Sequence, residues 1–181
     1  MIAEFMLQRT KAQQVSRIYP IFINQFPDIK SLVNADIEDI FKIIHPLGLH
    51  WRTFHFIKAA KYIENKYAGK IPPYRKELLN IPGIGNYTAG AILTLCFNKP
   101  EYVIDSNIAR FINRFYGLEL EGDIRRKKII REKSQEIFNY ESPGKLLYSI
   151  LDFTALICKP NNIKCRTCHL KDICEYKYKN T

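Results

Sequence analysis

Apolar residues recur at helical spacing along most of this chain, and nowhere do they alternate for long enough to specify a strand. Residues 1–26 read as one amphipathic helix, interrupted near Pro20, with Phe5, Met6, Val15, Ile18 and Phe22 on a shared side. Pro27-Asp28 turns the chain, and Asp28 or Ser31 caps a short helix through Leu32 and Val33. Asp36 caps the next helix, which sets Ile37, Ile40, Phe41 and Ile44 at helical spacing. Pro46 to His50 is a loop. From Trp51 to Tyr67 the pattern is helical again, through Phe54, Ile57, Ala60 and Ile63, until Gly69 ends it. Leu78 and Leu79 belong to a short helix that runs into Pro82-Gly83-Ile84-Gly85, and a second helix follows from Asn86 or Tyr87 to about Phe97. Further helices are expected over Asp105–Phe115, over Asp123–Phe138, and from Ser142-Pro143 to Ile157. The expected fold is all-α, with short loops and no internal repeat.

Composition narrows the setting. A chain of 181 residues with 46% hydrophobic content can bury a core and is not a disordered segment. Its net charge of +10 favours a polyanionic partner such as nucleic acid or an anionic membrane surface, with a merely soluble basic protein as the plain alternative that charge alone leaves open. No apolar run reaches the roughly 18 residues of a membrane span. The stretch MIAEFMLQRTKAQQV carries Glu4 and lacks the pattern of a cleaved signal. A reducing, cytoplasmic and nucleoid-associated location is therefore expected, where five cysteines read as metal ligands before disulfides.

Three groups of residues carry candidate chemistry. In the first, Gly83 and Gly85 can adopt positive φ and leave backbone N–H groups bare ahead of a helix N-terminus, an arrangement that suits a phosphate. In the second, Asp105 stands at the start of a helix. As a plain N-cap it would need no other explanation, yet a capping carboxylate stays ionised and can face a sugar cation as a glycosidic bond breaks. In the third, Cys158, Cys165, Cys168 and Cys174 follow the spacing C-x6-C-x2-C-x5-C in a segment too poor in apolar residues to order itself. Zinc and a 4Fe–4S cluster both accept four cysteines, and spacing alone leaves the choice open. Cys96 reads as a small core residue.

Other residues are weaker signals. Lys159 and Lys164 bracket the cysteine loop, as phosphate contacts or as ordinary solvated lysines. Glu4, among Ile2, Phe5 and Met6, is either a surface carboxylate or a partly buried acid able to protonate a leaving base. Tyr87 either rests on the hairpin or faces an extruded base. Gln8, Arg9, Leu49 and His50 sit where side chains could enter a duplex, against the simpler reading of surface or packing roles.

Taken in order, the hairpin Leu79-x-x-Pro82-Gly83-Ile84-Gly85 with Thr88-Ala89-Gly90-Ala91-Ile92, the segment Val103-Ile104-Asp105 and the four-cysteine tail resemble the helix–hairpin–helix DNA glycosylases of the endonuclease III superfamily. The resemblance implies a six-helix domain with the hairpin (1–99), a helical domain with a 4Fe–4S loop (100–181), and DNA bent across a cleft between them. It implies that Asp105 is the catalytic aspartate and that the four cysteines hold the cluster. Bifunctional members carry a lysine at position 87 that forms a Schiff base with the sugar; Tyr87 implies a monofunctional enzyme. The favoured activity is removal of thymine or uracil mispaired with guanine, by a monomer acting on duplex DNA with a mispaired or damaged base. Adenine excision is second, because Glu4-Phe5-Met6-Leu7-Gln8 resembles the adenine enzymes, although those usually add a C-terminal domain and this chain ends seven residues after Cys174. Members of the family usually have a further N-terminal helix before the segment that begins here at Met1. The alternative of another class is a DNA-binding module with a structural metal and no chemistry.

Overall fold

The structure, a computed structural model, describes residues 1–48 and 53–176, and every regular element among them is helical. The chain divides into two compact units, Met1–Thr88 and Ala89–Thr181.

In the first unit, α1 (Ile2–Leu7) and α2 (Ala12–Gln25) replace the single helix expected over residues 1–26. The interruption falls at Gln8–Lys11 and not near Pro20. Arg9 adopts a left-handed φ of 58°, and the Thr10 amide donates back to Leu7 O at 3.2 Å. Pro20 is tolerated inside α2 because it and Ser16, whose carbonyl would otherwise accept from an amide at position 20, are both exposed to solvent. Asp28 caps α3 (Ile29–Val33) through a reciprocal box with Ser31, and Asp36 caps α4 (Ile37–Ile44) by accepting from the Glu38 amide at 2.9 Å. A 3-10 turn, His45–Leu47, leads out of α4. In α4, Ile40 and Ile44 enter the core while Phe41 stays 37% exposed. In α5 (Thr53–Tyr67) the buried face runs through Phe56, Ala59, Ala60 and Ile63, and Phe54 points to solvent. Period alone could not separate Phe54 from Phe56; the rings of Phe5 and Phe22, with centroids 5.5 and 5.0 Å from that of Phe56, decide it. The unit ends with α6 (Arg75–Leu78) and the hairpin.

The division between units falls inside α7 (Asn86–Phe97), whose residues Ala89 to Thr94 are all buried, as expected of a helix without a polar face. Cys96 is exposed near its C-terminal end, so the core role expected for it is not the one it has. In the second unit α8 (Ser106–Phe115) packs on α9 (Lys128–Phe138) and α10 (Pro143–Leu156). The charged helix expected from Asp123 is a 3-10 turn, Ile124–Arg126, followed by α9. Gly144 lets α10 start close to α7, where an added Cβ would lie 3.1 Å from Thr94 O.

Candidate active site and cysteine pocket

Asp105 caps α8 from extended backbone. Its Oδ1 accepts from the Ile108 amide at 2.7 Å and its Oδ2 from Asn107 Nδ2 at 3.0 Å. A carboxylate offers about four acceptor positions, so two bonds hold it in place and leave capacity for a sugar or water. The side chain is half-buried. The segment that delivers it is also held: Ser134, fully buried on α9, accepts from Val103 N at 3.2 Å and donates to Val103 O at 2.9 Å. The neighbouring Gln135 accepts from Tyr102 N and donates to Pro100 O. These two side chains do for residues 100–103 what a partner strand would do.

The contacts of Asp105 continue inward. Asn107 Oδ1 accepts from Arg110 Nη1 at 3.0 Å, and Arg110 Nε and Nη2 donate to Cys158 O at 3.3 and 3.2 Å. One chain of hydrogen bonds thus joins the capping carboxylate to the backbone of the first cysteine. Burial, then the charge of Arg114, pulls the Arg110 guanidinium below its ordinary value, while Cys158 and Asp105 oppose the shift.

All five cysteines are free thiols, and Cys158, Cys165, Cys168 and Cys174 line one cavity. Its walls include Phe111, Phe115, Phe153, Ile157 and Leu170. Two donors face sulfur: the Leu170 amide lies 3.4 Å from Cys168 Sγ, and Arg114 Nη1 lies 3.7 Å from Cys158 Sγ. Burial first, and then the other three thiols, push the Cys174 thiol above its ordinary value. Among the described residues no three His, Cys, Asp or Glu side chains stand close enough together to hold a metal ion. Four thiols lining one largely apolar cavity make a donor set suited to a metal centre.

The hairpin is asymmetric. Gly83 has φ of 87°, and an added Cβ there would lie 3.3 Å from both His55 Cβ and Phe5 Cζ. Gly85 does not take the positive φ expected for it, and a Cβ there would meet nothing within 4 Å. The need for glycine rests on Gly83 alone. Gln8 Nε2 donates to Gly83 O at 3.4 Å, tying the α1–α2 corner to the hairpin and leaving Arg9 exposed beside it. Thr10 Oγ1 reaches Leu47 O from the same corner, also at 3.4 Å. Tyr87 is half-buried in the first turn of α7, and Glu4 is half-buried beside the core residues Phe5 and Met6. Leu49 and His50 lie outside the described residues. Lys159 is half-buried and Lys164 exposed, both in the cysteine loop. The first unit therefore gathers Gln8, Arg9 and Gly83, and the second joins Asp105 to Cys158. The reading of the sequence missed Asn107, Arg110, Arg114 and Ser134. Arg110 and Arg114, like charges one turn apart on α8, were a visible signal, because such a pair is unfavourable unless each has its own acceptors.

A family model matches residues 2–139 and describes an HhH-GPD superfamily base excision DNA repair protein. The chain belongs to the HhH-GPD superfamily. Within it, a thymine-DNA glycosylase from Aeropyrum pernix is 32% identical over 183 residues, covering 97% of this chain and 81% of that protein. An adenine DNA glycosylase from Buchnera aphidicola is 33% identical over 174 residues, covering 96% of this chain and 49% of that protein. The chain thus spans about half the length of the second relative. The solved structure of a thermostable thymine-DNA glycosylase superimposes with a TM-score of 0.87 at 30% identity, covering 97% of this chain and 81% of that one. The hairpin and Asp105 both lie within the matched residues.

Proposed function

We propose that the protein is a monofunctional DNA N-glycosylase that removes thymine or uracil mispaired with guanine from duplex DNA. The observation that carries this reading is Asp105, a half-buried carboxylate whose two oxygens are oriented by Ile108 N and Asn107 Nδ2. A protein that only binds DNA gains nothing from an oriented anion facing a polyanion. A glycosylase needs one, since the deoxyribose becomes cationic as the base departs.

The steps follow from that charge. Phosphates beside the target strand rest against the N–H groups of the hairpin at Gly83 and Gly85, with Lys159 and Lys164 adding positive charge. The target nucleotide leaves the stack, at a cost of a few kcal/mol that is least for a mispaired base. Gln8, Arg9, Leu49 and His50 are the side chains proposed to fill the space it vacates. Tyr87 stacks on or hydrogen-bonds the extruded base. The bond between the base nitrogen and C1′ breaks with its electron pair going to the base, which is then protonated. Glu4 is the proposed proton donor. Water adds to C1′ and gives up its proton to Asp105 or to solvent, leaving an abasic site. Tyr87 has no amine to form a Schiff base, so the strand stays intact.

The four cysteines fit a 4Fe–4S cluster, and Cys158, Cys165, Cys168 and Cys174 are its proposed ligands. Such a cluster would cross-link a loop that lacks a core of its own. A monomer in a reducing compartment is the proposed form.

Adenine excision is the second reading, supported by the segment Glu4 to Gln8 and by the adenine glycosylase relative. Incubation with duplexes carrying G·T, G·U or oxidised-guanine·A pairs, followed by alkali, separates the readings. Breaks at the thymine or uracil of G·T or G·U are expected. Breaks only at adenine would replace the favoured substrate, and none at any mispair would leave a DNA-binding module.

A further inference from the structure

Arg114 has more partners than a surface arginine needs, and they belong to both ends of the cysteine loop. Its Nη1 donates to Lys159 O at 2.6 Å and lies 3.7 Å from Cys158 Sγ. Its Nη2 donates to Pro160 O at 3.2 Å. The guanidinium stands over the Tyr176 ring, 5.3 Å from the centroid. Its own carbonyl accepts from Cys174 Sγ at 3.9 Å. The next residue continues the contact, since Phe115 O accepts from the Glu175 amide at 2.9 Å. Gly117, at φ of 56°, admits that limb so closely that an added Cβ would sit 3.0 Å from Glu175 Cβ.

We propose that Arg114 is the positioning residue of the cysteine pocket: it brings the first and last cysteines together before any metal arrives and supplies the positive charge that an anionic tetrathiolate group needs. This rests on the cluster reading of the previous section. The planar fork explains the choice of side chain. A guanidinium can serve two carbonyls, reach a sulfur and stack on a ring at once, whereas a lysine ammonium carries the same charge and cannot span those acceptors. Arg110, one turn earlier, donates to Asn107 Oδ1 and to the carbonyls of Thr154 and Cys158, and none of these bonds goes to the 174–176 limb. Without the Arg114 side chain, the first limb keeps its bonds to Arg110 and the last keeps the contacts of Glu175 with Phe115 and of Cys174 with the backbone of residue 114, but the fork that reaches both limbs is lost, and with it the guanidinium beside the Cys158 thiol.

The test uses the full chain as purified, together with Arg114→Lys and Arg114→Met. Iron and sulfide per chain are measured first. Loss of absorbance near 400 nm is then timed in bathophenanthroline disulfonate, with far-UV circular dichroism recorded on the same samples. Contacts behind a metal's ligands typically change its affinity about 10–100-fold, so Arg114→Met should bleach faster by a factor of that order. Arg114→Lys should fall between it and the unaltered chain. If Arg114→Met does not fold, Arg114→Lys decides alone: faster bleaching supports the assignment and an unchanged rate overturns it. Equal rates in all three proteins overturn it as well. An unaltered chain that holds no iron overturns the cluster reading itself, an outcome seen without any variant.

Discussion

Replacing Asp105 with asparagine removes one charge and almost no volume. Asparagine caps helices as well as aspartate does, so its oxygen can still accept from Ile108 N, now 2.7 Å away. The other position is less tolerant. An amide nitrogen would face Asn107 Nδ2, at present 3.0 Å from Oδ2, and Asn107 cannot turn over without presenting its own amide to Arg110 Nη1. That conflict costs about 1 kcal/mol, which shifts a denaturation midpoint slightly and leaves the fold intact. The kinetic effect is far larger. A unit charge about 4 Å from a sugar cation, at an effective dielectric near 20, contributes about 4 kcal/mol. Its loss should slow base release about a thousandfold. The assay is single-turnover release from a G·T or G·U duplex, with affinity for an uncleaved duplex followed by fluorescence anisotropy. Binding should be unchanged or tighter, since a negative charge has been removed. Release within about threefold of the unaltered enzyme, a difference of less than 1 kcal/mol in barrier, would refute the role given to Asp105.

The other predictions concern the parts that hold this carboxylate and the strand. Gly83→Ala, placed at φ of 87° with a Cβ 3.3 Å from His55 and Phe5, should destabilise the protein by about 1–2 kcal/mol, whereas Gly85→Ala should leave its urea midpoint unchanged. Equal midpoints for the two variants would contradict that asymmetry. Ser134→Ala strips both bonds from Val103 in a fully buried place and should cost about 1–3 kcal/mol in chemical denaturation, with serine restored by threonine more nearly than by valine. Tyr87→Lys should introduce an amine able to attack the sugar, giving a protein–DNA adduct that borohydride traps on a denaturing gel; no adduct would count against Tyr87 lying beside the deoxyribose.

Much of this protein was legible in its sequence, for local reasons. Helix caps depend on residues two or three positions apart, so Asp28, Asp36 and Asp105 announced themselves, and each accepts from an amide in the first turn of its helix. The cysteine spacing is equally local, and the four thiols do line one cavity. What the sequence could not rank was a choice between neighbours of equal hydrophobicity or equal flexibility. Phe56 enters the core and Phe54 does not, because the rings of Phe5 and Phe22 wait on one side of α5 only. Gly83 takes a left-handed conformation and Gly85 does not, and only at Gly83 would a side chain meet α1 and α5, neither of which two glycines in one turn can show on their own. The partners of Asn107, Arg110, Arg114 and Ser134 lie from two to some sixty residues away, and most become neighbours only when the helices of the second unit pack. Composition and spacing determine which helices form and which residues are chemically able to act. Only packing decides which way each side chain faces, because that depends on atoms brought together from distant parts of the chain.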